Sequence, residues 1–307
     1  FFDKGLEIHA QVMKFGLLEK DILIGNAMVD MYVKCGMLLE AQKVFSKILV
    51  RDEVPWNVLI SGYAQHGHSE EALDCLKLMQ FWGFSPDRIT CVAALGACSG
   101  IVAIIEGQKI HAEIVKKGFL ETDDIVGNAL VDMYADCCMV SEAHKVFKEL
   151  LVQDVISWNA LIAGYAQLGS DELVFDLFHK MLQEGNDPDS VTFTILLNTC
   201  SHAGMAGRSE ICFQTMKSVY GISPTPEHYA CMVDLFGRIG QLEMAVLLVN
   251  NLPFSEHLIV WNTLLGACKK EGDVELARSA FEHVIQLDDM DSAAYICIWN
   301  IYANITK

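Results

Sequence analysis

The sequence predicts an all-α protein, an α-solenoid of stacked helix-turn-helix repeats, on three observations. First, the 307-residue chain matches itself when shifted by 102 residues. Ile22–Asp52 matches Asp124–Asp154 at 17 of 31 positions and Glu53–Asp87 matches Val155–Asp189 at 15 of 35, both without a gap, while Arg88–Asp123 matches Ser190–Thr225 more weakly. Second, apolar residues recur at helical spacing, and no segment sustains strand alternation. Third, neither helix of one pair can bury its apolar face alone, so consecutive pairs must stack into one continuous solenoid.

Each piece of 31, 35 or 36 residues reads as two helices. In Glu53–Asp87 the first runs through Trp56-Asn57-Val58-Leu59-Ile60 to Gln65 and stops at Gly67. Pro55 suits the first turn, where its missing N–H costs nothing. Ser69 reads as the N-cap of the second helix, with Glu70 and Glu71 following where the helix dipole favours acids. Ala72, Leu73, Cys75, Leu76, Leu78 and Met79 keep helical spacing. Gly83 ends this helix, and Ser85-Pro86-Asp87 turns into the next repeat.

Composition narrows the function classes. The chain is 52% hydrophobic with only 6 prolines, which excludes wholesale disorder. A formal charge of -18 argues against a basic, phosphate-coating nucleic-acid binder, although a local groove can differ from the net charge. The charge-free stretch Ile89–Ile105 is short of a membrane span and carries Thr90, Gly96, Ser99 and Gly100, so it reads as a helix-turn-helix. No secretory signal is visible at the start. Of the 11 cysteines, Cys98, Cys200 and Cys268 fall late in apolar helices, and Cys35 and Cys137 occupy matching sites. Such recurrence predicts small core residues and free thiols, not bridges.

Helical pairs of this length fit tetratricopeptide or pentatricopeptide repeats. The run Gly25-Asn26-Ala27-Met28-Val29-Asp30-Met31-Tyr32-Val33-Lys34-Cys35-Gly36 and the run Ser157-Trp158-Asn159-Ala160-Leu161-Ile162-Ala163-Gly164-Tyr165-Ala166-Gln167 resemble the second family. With alternating short, standard and long repeats, the chain resembles the plant pentatricopeptide PLS class, whose fold is a right-handed solenoid. The resemblance divides the chain into the end of a long repeat (1–21), a short (22–52), a standard (53–87) and a long repeat (88–123). A second cycle follows with a short (124–154), a standard (155–189) and a long repeat (190–225). A terminal short repeat (226–257) resembles the family on Pro226-Glu227-His228-Tyr229-Ala230-Cys231-Met232. An extension motif (258–291) does so on Val260-Trp261-Asn262-Thr263-Leu264-Leu265-Gly266-Ala267-Cys268, and the start of a second, cut after its first helix, covers 292–307.

In that family the fifth and last residues of a repeat contact one base edge, and the second packs against the base. Carried over, the reading pairs are Asn26 with Asp52, Asn57 with Asp87, Asn128 with Asp154, and Asn159 with Asp189. The packing residues are Leu23, Val54, Ile125, Ile156 and Val191. Val92 with Asp123 offers little discrimination, and Thr194 with Thr225, like Ala230 with His257, has no decoded preference. An Asn amide can meet a pyrimidine's carbonyl and imide edge, and an Asp can fix the Asn rotamer. The resemblance implies uracil preference with cytosine tolerated. The implied target, 5′ to 3′, is two pyrimidines, one poorly read base and two more pyrimidines. The alternative for these residues is helix capping, for which Asn and Asp are common, and the two roles can coexist. Trp56, Trp158, Phe193, Tyr229 and Trp261 read as inter-repeat core rather than stacking platforms. The acidity predicts a shallow dependence of binding on salt.

Related proteins carry or recruit a zinc cytidine deaminase, whose signature is H-x-E followed by P-C-x-x-C. Two H-x-E triplets occur, His68-Ser69-Glu70 and His111-Ala112-Glu113, but there is no C-x-x-C, no Walker loop, no dinucleotide fingerprint and no G-x-S-x-G. The chain as given carries no catalytic signature, and neither a cofactor nor a metal is expected. The resemblance implies binding of single-stranded RNA in a chloroplast or mitochondrion and specification of a C-to-U editing site. It also implies a deaminase-bearing partner or editing cofactor recruited through residues 258–307, and no membrane. The alternatives are RNA stabilisation, splicing or translation control without editing, or a protein-binding scaffold.

Overall fold

The computed structural model describes residues 2–18, 21–48, 52–250, 252 and 258–305. Among the described residues there are eighteen α-helices and no strand, in two compact units, Phe1–Gly164 and Tyr165–Lys307. None of these helices is long and apolar enough to cross a membrane.

The first unit contains α1 (Phe2–Lys14), α2 (Ile22–Lys34), α3 (Leu38–Lys47), α4 (Glu53–Gln65), α5 (Ser69–Phe81), α6 (Arg88–Ile101), α7 (Ile104–Lys116), α8 (Asp124–Asp136), α9 (Val140–Glu149) and most of α10 (Val155–Gln167). Each even-numbered helix of α2 to α8 pairs with the helix after it, and α2, α4, α6 and α8 pack side by side. That arrangement is a run of α-solenoid, with one layer of first helices and one of second helices. Val29, Leu59, Ile60, Leu95, Leu130, Leu161 and Trp158 are fully or almost fully buried between the layers.

The second unit contains α11 (Asp171–Gln183), α12 (Ser190–Ala203), α13 (Ala206–Ser218), α14 (Pro226–Arg238), α15 (Leu242–Asn250), α16 (Leu258–Glu271), α17 (Val274–Leu287) and α18 (Ser292–Ile305). Here α12, α14, α16 and α18 form the layer of first helices. Its core joins Val233, Val249, Trp261, Leu264, Leu265 and Cys268 to Ala277, Val284 and Ile298.

Of the first helices, α2, α4, α6, α8 and α12 begin on Asp caps, and α14 on Thr225. Asp21, Asp52, Asp87, Asp123 and Asp189 stand in extended backbone, and each accepts a hydrogen bond from an N–H of the helix it precedes. Six of the second helices begin without a side-chain cap bond, on Met37, His68, Ala103, Met139, Ser170 and Met205, whereas α17 begins on Asp273, which accepts the Leu276 N–H. The expectation that Ser69 caps α5 is therefore corrected: His68 occupies the cap position, and Ser69 is the first helical residue. The reason is steric. Ser69 is buried, and its Oγ lies 2.7 Å from where a Cβ on Gly100 would stand, so this serine fills the close approach of α5 to α6.

Cys98, Cys200 and Cys268 are fully buried, and all the cysteines are free thiols. The matched pair Cys35 and Cys137 differ. Cys137 is buried, with its thiol 3.9 Å from the Cys98 carbonyl, whereas Cys35 is exposed at the end of α2.

Candidate nucleic-acid interface

The candidate site lies at the N-terminal ends of the first helices, where one repeat hands over to the next. Asn26 is the fifth residue of α2, and its Nδ2 donates to Asp52 Oδ1 at 3.3 Å. Asn57 Nδ2 donates to Asp87 Oδ2 at 2.6 Å, and Asn128 Nδ2 lies 3.1 Å from both oxygens of Asp154. Each Asp also caps the helix that follows. Asp52 Oδ1 takes the Val54 N–H at 3.1 Å, Asp87 Oδ1 the Thr90 N–H at 2.8 Å, and Asp154 Oδ1 the Ser157 N–H at 2.9 Å. One carboxylate thus starts a helix and fixes the amide of the preceding repeat, so capping and orientation of the Asn are a single device.

With Nδ2 committed to the carboxylate, the amide orientation is set by chemistry, because the flipped amide would put oxygen against oxygen. The Asn carbonyl oxygen is then the remaining acceptor. At Asn26 and Asn128 this Oδ1 is buried without a hydrogen-bond partner. At Asn57 it accepts from the hydroxyl of Thr90. Asn159 is buried in the first unit, and Asp189 caps α12 in the second, accepting the Thr192 N–H at 2.9 Å.

The expected packing residues are exposed although apolar. Leu23, Val54, Ile125, Ile156 and Val191 are 71%, 49%, 66%, 60% and 54% exposed, which sets them apart from the buried residues on the same helices. Trp56, Trp158, Phe193 and Trp261 are buried between helices instead, so their rings are closed to a stacking ligand. Ile89, Val92, Asp123 and Ile125 line an open cleft of about 450 Å³. Arg88 lies 3.6 Å from the Asp123 carboxylate and over the Phe119 ring, so that aspartate faces a cation rather than an Asn.

Thr194 and Thr225 are brought together through a residue that sequence reasoning missed. His228, fully buried, accepts the Thr225 N–H on Nδ1 at 2.9 Å and holds its Nε2 3.0 Å from the Ser190 carbonyl and 3.3 Å from the Thr194 hydroxyl. The carbonyl bond requires the Nε2–H tautomer. Burial is the main cause that pushes the His228 pKa down, opposed by the bond to Ser190. Ala230 is buried, and its expected partner His257 lies outside the described residues.

A further pair was also missed. Asn262 Nδ2 donates to Asp291 Oδ2 at 2.7 Å, while Asp291 Oδ1 takes the N–H groups of Ala293 and Ala294 at 2.9 and 3.1 Å. The Asn262 amide, then the Ala294 N–H, hold the Asp291 carboxyl below the usual range. The signal was Trp261-Asn262, which repeats the Trp-Asn of positions 56–57 and 158–159. The H-x-E histidines lie elsewhere: His111 bonds to the Tyr134 hydroxyl at 2.9 Å, and His68 packs on the edge of the Tyr63 ring.

Several basic side chains stand beside acids three or four residues away: Lys34 with Asp30, Lys77 with Asp74, Lys109 with Glu106, Lys145 with Glu142 and Arg238 with Asp234. Such exposed pairs add little stability, but they offset positive charge that could otherwise meet phosphates.

Comparison with known proteins shows the family. A model described as the PPR repeat family matches residues 51–100 and 153–202, and one described as the PPR repeat matches 26–52, 128–155, 191–219 and 259–288. A putative pentatricopeptide repeat-containing protein of Arabidopsis thaliana is 37% identical over 99% of this chain and 41% of its own length. A mitochondrial pentatricopeptide repeat-containing protein of the same plant is 38% identical over 98% of this chain and 47% of its own. The chain therefore spans less than half the length of either relative. The fold is similar to that of PPR10 from maize. In the structure of PPR10 with an 18-nt psaJ RNA element the TM-score is 0.77, at 17% identity, covering 99% of this chain and 45% of that one. The repeat models between them cover well over half of the sequence, and the chain belongs to the pentatricopeptide repeat family.

Proposed function

We propose that this chain binds single-stranded RNA and reads one base per repeat through its fifth and last residues. The observation that carries the reading is the repeated bond from an Asn amide to the Asp that caps the next helix, at Asn26–Asp52, Asn57–Asp87 and Asn128–Asp154. A capping Asp needs no Asn partner, and an Asn fixed by its amide leaves one defined acceptor for a base edge. The exposed Leu23, Val54, Ile125, Ile156 and Val191 supply apolar surface beside each pair for a base to pack on.

In this reading the repeats follow the short, standard and long order of the PLS class, with residues 258–291 as an extension motif. The chain specifies a C-to-U editing site in a chloroplast or mitochondrion, and a deaminase-bearing partner docks on residues 258–307. The RNA has pyrimidines under the first and second pairs, an unread base under residues 88–123, and pyrimidines under the pairs of 124–154 and 155–189. The test is titration with 5′-UUNUU-3′ RNA embedded in a neutral flank, its purine-substituted versions and the matching DNA, at two salt concentrations. The reading expects the pyrimidine RNA to bind tightest with a shallow salt slope. Equal binding of all oligomers with a steep slope contradicts it.

A further inference from the structure

The three Asn–Asp pairs of the first unit differ at the third residue of the following helix. That residue is Pro55 after Asp52, Thr90 after Asp87 and Ser157 after Asp154. Thr90 is fully buried, and its hydroxyl stands between Asn57 Oδ1, to which it donates, and Asp87 Oδ1 at 2.9 Å. Pro55 has no hydroxyl. Ser157 has one, but it donates to the Asp154 backbone carbonyl at 2.9 Å. In line with this, Asn26 Oδ1 and Asn128 Oδ1 are buried without a donor, and Asn57 Oδ1 is not.

We propose that this third residue is a further specificity-determining position: Thr90 occupies the acceptor with which Asn57 would otherwise select its base. The inference rests on base reading by the Asn–Asp pairs. Uracil presents an N3–H donor on its pairing edge, whereas cytosine presents an acceptor there. An Asn oxygen with no donor, set against N3 of the base, gains a hydrogen bond from uracil and faces a lone pair in cytosine, so Asn26 and Asn128 discriminate between the two. Because these oxygens are also shut off from water in the free protein, the base replaces no solvent bond there, once the side chains over it move aside. At Asn57 the Thr90 hydroxyl must first turn to Asp87, so uracil gains less over cytosine. Thr90 acts through Asn57 and need not touch RNA. The chain therefore carries two uracil-selective sites and one site that tolerates cytosine among these three, although all three have the same fifth and last residues.

The experiment measures the affinity of the whole chain for 5′-UUNUU-3′ RNA and for its single U-to-C versions at the first, second and fourth positions. It compares the unaltered protein with Thr90→Val and Pro55→Thr, each checked for helicity and melting. Valine keeps the shape of threonine, and the cap from the residue-90 N–H remains. The expected uracil-over-cytosine ratio in the unaltered protein is about threefold to tenfold larger at the first and fourth positions than at the second, the worth of one hydrogen bond. Thr90→Val raises the second ratio to match, with the others unmoved, and Pro55→Thr lowers the first. Equal ratios in the unaltered protein, unmoved by either substitution, overturn the role of Thr90 while leaving base reading intact. Absence of any uracil preference at all three positions overturns base reading itself, and the inference with it.

Discussion

Asn128 points its amide at both carboxylate oxygens of Asp154, 3.1 Å from each, while Asp154 Oδ1 holds the Ser157 N–H at 2.9 Å. The carboxylate ties the fifth residue of α8 to the first turn of α10. Asp154→Ala is expected to cost about 1 kcal/mol of stability through the lost cap, read by chemical or thermal unfolding. Asp154→Asn restores most of that, since Asn caps well, but it sets one amide against another. The Asn128 amide then keeps the Oδ1 acceptor and loses the Oδ2 one, so uracil preference at the fourth RNA position should weaken in Asp154→Asn and be lost in Asp154→Ala, and a wild-type preference in Asp154→Ala contradicts the orienting role.

Backbone strain marks two turns. Cys138 has φ 60° where the equivalent Gly36 has φ 73°, and Val102 has φ 54° at the end of α6. A side chain in the left-handed region costs roughly 1–2 kcal/mol, more keenly felt by a β-branched residue. Cys138→Gly and Val102→Gly are each expected to raise stability by about 1 kcal/mol after the greater chain entropy of glycine is offset. A fall in melting temperature in either variant contradicts the assignment of strain.

The reverse substitution fails where helices touch. A Cβ on Gly237 would lie 2.4 Å from the Ala267 Cβ and 3.3 Å from its Cα, so α14 and α16 would have to part. Gly237→Ala is expected to cost about 1–3 kcal/mol by overpacking. Combining it with Ala267→Gly should cost less than the sum of the two single changes, a coupling that a double-mutant cycle measures. Strict additivity is the contrary result.

Acid should loosen the turn at Thr225. The pKa of His228 is lowered by burial in the folded chain, so its contribution is fully present above the unfolded value of about 6.5 and is lost as pH falls from there through the lowered folded value. A second proton on Nδ1 would face the Thr225 N–H that this nitrogen accepts. His228→Gln keeps an acceptor and does not titrate. It should shrink the loss of stability between pH 7.5 and 5, leaving the part due to His9 and His111, whose pKa values burial also lowers, less the opposite contribution of Asp132, whose pKa burial raises to about 6. An unchanged pH dependence contradicts this account.

The period of the sequence carried much of this architecture, because a capping Asp and a fifth-position Asn recur at fixed distances and a helix pair can bury its apolar face only against the next pair. It could show which residues share a helix face, but not where a hydroxyl points. Whether the third residue after an Asp cap reaches the neighbouring Asn, as Thr90 does, or turns back to the backbone carbonyl of the cap, as Ser157 does, depends on how two first helices approach. The same limit hid His228, whose ring lies between two threonines 31 residues apart in sequence. The Asn262–Asp291 pair was legible in the sequence, since its Trp-Asn repeats that of positions 56–57 and 158–159.

The most direct measurement is the base preference of Asn128→Ala at each position of the pyrimidine RNA. This change removes the proposed reading group and leaves the Asp154 bond to the Ser157 N–H in place. One base per repeat predicts that preference flattens at the fourth position alone, with the first and second positions as in the unaltered protein. Uniform weakening at all positions, or no change at any, would contradict base reading by these pairs and leave Asn128 as a residue of the helix joint only.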